Sequence, residues 1–81
     1  MTVERVREKM LAKTEERWKE FENEEGDLFE IFVKFTRFKN TIELGLSLGI
    51  ISMNEYLKWD NQGDHLFHIK KEGLKRNTEG I

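Results

Sequence analysis

Residues 27–48 read DLFEIFVKFTRFKNTIELGLSL, and the reading of this stretch decides the fold. Leu28, Ile31, Phe32, Phe35, Phe38, Ile42 and Leu46 recur every three or four residues, the period of a helix and not of a strand. Phe29, Val33 and Leu44 form a second apolar stripe around the side. Asp27, three residues before Glu30, is an acidic form of the capping box and starts the helix. Gly45 weakens the helix interior or admits a close approach, and Gly49 ends it. So apolar a helix needs more than one neighbour.

Upstream, residues 2–23 form the matching helix. Val3, Val6, Met10, Leu11, Trp18 and Phe21 fall near a 3–4 repeat, with Thr14 filling the gap. Thr2 is its N-cap, and Glu4 puts negative charge in the first turn. Asn23 to Gly26 supplies the stop, with Gly26 suited to a left-handed position. The two long helices, 2–23 and 27–48, therefore make a hairpin.

Downstream, Ser52 and Glu55 form a capping box, and Ile51 and Tyr56 a hydrophobic staple, so a third helix spans 53–60. Asp60-Asn61-Gln62-Gly63 has the composition of a turn. Residues 64–73 suit either a helix or a strand. Asp64 as N-cap, Gly73 past the end and Lys70 and Lys71 in the last turn favour a short helix over 65–72. Residues 75–81 read as a frayed C-terminal tail, leaving 1–74 as a single helical domain. The expected fold is all-α: a long helical hairpin followed by two short helices that fold back over its end. Each short helix reaches only about 12 Å, less than half of the second long helix. A second copy of the chain is the simplest cover for the rest, giving a dimeric four-helix-type bundle.

Composition sets the bounds. At 81 residues, with 37% hydrophobic and 37% charged, the chain holds one small domain with a thin core. No cysteine means no disulfide framework and no Cys-ligated metal. No apolar run nears the roughly 18–20 residues that span a bilayer, so a membrane partner is not expected and the location is read as cytoplasmic. The net charge of −2 hides an asymmetry. Residues 20–30 carry six acids and no base, whereas residues 1–19 carry six bases and four acids. The acidic block reads as a solvated bend, with contact to a basic partner or a divalent cation as the sharper alternative.

No motif of chemistry is complete. His65 and His68 stand three apart and have the spacing to chelate a metal on a helix, but they read as surface residues, so no metal or cofactor is expected. No Gly-rich phosphate loop and no Glu-x-x-His or His-Glu-x-x-His occurs, so the chain does not read as an enzyme. The function that follows is a small non-enzymatic interaction or regulatory protein. It acts by binding another protein, as a homodimer, through Leu28, Phe29, Phe32, Val33, Phe35 and Phe38. The alternative is a DNA-binding regulator using a helix-turn-helix-like segment at 52–76, with Lys70, Lys71, Lys75 and Arg76 on phosphates. The opening Asp64-His65-Leu66-Phe67 offers no Arg, Asn or Gln to read bases, and a pI near 5.7 argues against nucleic acid as a partner.

Overall fold

The computed structural model describes the backbone of residues 2–79 and the side chains of residues 2–74. Three helices account for the described chain: α1 (Val3–Asn23), α2 (Leu28–Ser47) and α3 (Met53–Glu79). They run up, down and up, with α2 packed against both neighbours. The hairpin lies where the sequence puts it. Thr2 caps α1 by accepting from the Arg5 amide at 3.3 Å, and Asp27 caps α2 by accepting from the Glu30 amide at 2.9 Å.

Two glycines behave differently from each other. Gly49, at φ +70°, ends α2 in a Schellman turn: its amide reaches the Leu46 carbonyl, and the Ile50 amide reaches back to Gly45. Gly26 was expected in the same left-handed conformation, but Gly49 is the only described residue with positive φ. Instead α1 is capped by Glu24 in extended backbone, and the Glu24 carboxylate accepts from the Gly26 amide at 3.1 Å. A side chain turns this corner, so Gly26 needs no positive φ.

The larger correction lies downstream. The expected turn at 60–63 is helical, and the two short helices are one helix of 27 residues. At 1.5 Å per residue it is about 40 Å long, longer than α2 itself, and it packs on α2 from Phe32 to Ile42. The turn-like residues are used for tertiary contact. Lys39 on α2 donates to both Asp60 and Asp64, the latter at 2.8 Å. Their like charges at i,i+4 would repel without that cation. Gly63 is buried, and a Cβ there would lie 2.8 Å from Cε2 of Phe38. Gly73, expected just past a helix end, is also inside α3. The expected frayed tail at 75–81 falls on residues whose side chains lie outside the described set, as do residues 80 and 81 altogether.

The core is aromatic and centred on α2. Phe38 is fully buried, with Trp18 and Phe21 of α1 on one side and Trp59 of α3 on the other, ring centres 5.2–6.3 Å apart. Phe35 stacks on Phe67 at 4.5 Å and also meets Phe21. Ile42 and Ile51 continue the core toward the α2–α3 turn, where Ile51 and Met10 approach Gly45 too closely to leave slack for a side chain. Thr14 is buried but satisfied, its hydroxyl donating to the Met10 carbonyl at 2.8 Å.

Polar contacts lock α3 to α1 at both ends. Arg7 grips the Glu55 carboxylate with two nitrogens, at 2.9 and 3.3 Å, and also donates to the Ile50 carbonyl. Glu55 in turn completes the capping box: Ser52 and Glu55 each accept from the other's amide at 3.1 Å. Arg7 and the Ser52 amide hold the Glu55 carboxyl below its ordinary pKa. A lowered carboxylate pKa contributes stability above the unfolded value, lost as pH falls through the folded one. At the other end Lys70 donates to the carbonyls of Glu22 and Glu24, both at 2.9 Å. These close the C-terminus of α1, where the helix dipole favours a cation. Ser52→Ala is expected to cost about 0.5–2 kcal/mol in urea melts, because the Glu55 amide loses its acceptor. Unchanged stability would mean that α3 does not depend on this cap.

Candidate functional site

The long α3 leaves parts of α2 uncovered, and those parts are the candidate site. At the N-terminal end of α2, Leu28, Phe29, Phe32 and Val33 are 44%, 73%, 51% and 37% exposed. Phe29 is the most exposed aromatic ring of the four positions, and Phe32 leans on Phe67 edge-on at 6.2 Å. This is an apolar patch of adjacent turns, of the sort that soluble monomers seldom leave open. It is rimmed by acids: Glu25 and Asp27 in the bend and Glu30 in the first turn are exposed.

Of the six residues expected at a protein interface, these four form the patch. Phe35 and Phe38 do not. Phe38 is the centre of the core and Phe35 is half-buried between Phe21 and Phe67. The physical reason is the continuous α3, which brings Trp59, Gly63 and Phe67 over them.

At the other end, a groove of about 560 Å³ runs between α1 and α2. Val6, Met10, Leu44, Leu48 and Ile50 line it, and the α1 side carries Lys9, Lys13 and Arg17. Leu44 and Leu48 are 53% and 60% exposed. Lys13 pairs with Glu16 at 3.5 Å and Arg17 with Glu20 at 3.0 Å, while Lys9 has no pair among the described residues. Arg17 holds the Glu20 carboxyl below its usual range, against the opposing effect of desolvation. Val6 and Met10 were read from the sequence only as core-facing. A signal for the groove lies in Leu48, four residues after Leu44 of the second stripe, which the reading of that stripe left out.

Lys39 is a structural cation rather than a free one. Burial disfavours its charge, but the hydrogen bonds it donates to Asp60 and Asp64 outweigh this and raise its pKa. It also lies 5.3 Å from the centre of the Phe35 ring.

The residues of the nucleic-acid alternative are not assembled into a reading head. Without a turn at 60–63 there is no helix-turn-helix in 52–76. Lys70 is spent on the end of α1, Lys71 is exposed, and the side chains of Lys75 and Arg76 lie outside the described residues. His65 and His68 are exposed on α3, and among the described residues no three His, Asp or Glu converge at metal-binding distances. Among the same residues no helix is long and apolar enough to cross a membrane. No protein-family model, no curated protein and no solved structure matches this chain.

Proposed function

We propose that this chain is a small non-enzymatic interaction protein that works as a homodimer and regulates another protein by binding it. The observation that carries the reading is the exposed patch Leu28, Phe29, Phe32 and Val33. Full burial of a large apolar side chain is worth roughly 1.5–3 kcal/mol, and four that each forgo a part of it adjoin on one helix. The shape supports the same reading. The Cα radius of gyration is 14.5 Å, against about 12 Å for a compact chain of this length. A slender bundle offers a long flank to a partner relative to its core.

Sedimentation equilibrium tests the proposal. The native chain is expected to be dimeric at tens of micromolar, and Phe29→Asp with Val33→Asp to shift it to monomer with its helix content intact. A native chain that sediments as a compact monomer at that concentration would refute self-association as the way the patch is covered.

A further inference from the structure

The apolar residues on the open side of α2 are arranged as a palindrome. At 100° per residue, Phe29, Val33, Arg37, Asn40, Leu44 and Leu48 fall within an arc of about 100°. About the point between Phe38 and Lys39, Phe29 lies as far before as Leu48, the C-cap of α2, lies after, and Val33 and Leu44 are likewise equidistant. Glu30 and Ser47 lie at the two edges of the same arc and are equidistant from the same point, so in chain order the arc reads apolar, polar, apolar, polar, polar, apolar, polar, apolar. We infer that two copies pair antiparallel along α2, each seating its acid-rimmed patch in the base-rimmed groove of the other. This deepens the homodimer reading above and rests on it.

A two-fold axis perpendicular to α2 between Phe38 and Lys39 sets Phe29 against Leu48 of the second copy and Val33 against Leu44. It also sets Arg37 against Asn40. Such an isologous pairing needs a surface that is complementary to itself under that rotation. The palindrome satisfies it by setting apolar residues on apolar ones at both ends of the arc, while the two exposed Arg37 side chains flank the axis with the Asn40 amides between apolar ends.

Charge selects the direction. The patch end of α2 carries the exposed acids Glu25, Asp27 and Glu30. The groove end is flanked by Lys9 and Lys13 of α1. Antiparallel pairing brings each acidic rim to a basic one. Parallel pairing would set acid on acid at one end and lysine on lysine at the other, which electrostatic complementarity disfavours. The groove also runs along α1 from Val6 to Arg17, about 16 Å or three helical turns, enough for the Phe29–Val33 turn of a second copy.

The chain has no cysteine, so single cysteines report the geometry directly. Val33→Cys and Leu44→Cys change exposed positions, and circular dichroism confirms that each variant is folded. Oxidation of an equimolar mixture is expected to give the disulfide-linked heterodimer at least tenfold faster than either variant links to itself. Val33→Cys linking to itself as fast as in the mixture would overturn the antiparallel arrangement. In a second readout, Lys9→Glu with Lys13→Glu, and separately Glu25→Lys with Glu30→Lys, are each expected to weaken self-association about tenfold. Mixing the two variants should restore it as a heterodimer; a mixture no tighter than its components would overturn the charge pairing. If the native chain dimerises but the mixture does not cross-link, the arrangement fails while the homodimer reading stands. If the native chain is monomeric, both fail, and the groove is left to an acidic helix of a foreign protein.

Discussion

Phe38→Ala is expected to cost about 3–5 kcal/mol of folding stability, the range for removing a buried aromatic ring. The ring is completely buried and sits within 5.2–6.3 Å of Trp18, Phe21 and Trp59. It is the point at which α1 and α3 meet across α2, so the cavity would open between three helices and neither outer helix can close it alone. A domain of this length holds about 4–12 kcal/mol in all, so the variant is expected to be largely unfolded by gentle warming or low urea. Phe35→Ala, half-buried at the edge of the same cluster, is expected to cost less. A loss under 1 kcal/mol at Phe38, measured by urea melts, would mean that α1 and α3 do not both close on the centre of α2.

Gly63→Ala and Gly73→Ala are expected to change stability in opposite directions, although both glycines lie inside α3. In an open helix, alanine is favoured over glycine by about 0.8–1 kcal/mol. At Gly73 nothing lies within 4 Å of the new methyl group, so that gain is expected in full. At Gly63 the methyl group would stand 2.8 Å from Cε2 of Phe38 and 3.3 Å from Cδ2, atoms of a ring with no room to retreat. Overpacking of this kind costs about 1–3 kcal/mol, more for larger residues, and outweighs the helix gain. Gly63→Leu is therefore expected to be the more damaging of the two substitutions at this site, by about 3 kcal/mol or more. Thermal melts of Gly63→Ala, Gly63→Leu and Gly73→Ala separate the cases. A stabilised Gly63→Ala would mean that α3 does not rest on Phe38.

The same glycine shows where reading the sequence succeeds and where it stops. Every feature read correctly is local. The caps at Thr2, Asp27 and Ser52 involve residues three apart, and the Gly49 turn closes within five residues. The stripes of α1 and α2 follow from their own periodicity. Asp60, Asn61, Gln62 and Gly63 carry just as strong a local signal for a turn, and there the signal misleads. The reason is that Asp60 and Asp64 have a partner in Lys39, and Gly63 has one in Phe38, all more than twenty residues away. Read as contacts, Tyr56, Trp59, Gly63, Phe67 and Lys70 make one helical stripe with a glycine in the middle.

By itself, then, the sequence determined that the chain is helical, where α1 and α2 begin and end, that α2 is too apolar for one neighbour, and which capping box opens α3. Those properties depend on backbone hydrogen bonds and side chains within one or two turns, whose energetics hardly change with the rest of the molecule. Only the tertiary structure decided that α3 runs unbroken, because a helix through Asp60 and Gly63 is favourable only against Lys39 and Phe38. That decision turned Phe35 and Phe38 inward and left Leu28, Phe29, Phe32 and Val33 as the open patch. The packing of α2 on α1 set Leu44 and Leu48 beside the lysines of α1 in a groove. Which apolar residues of a helix are core and which are surface depends on the length and position of its neighbours, and no periodicity within the helix encodes that.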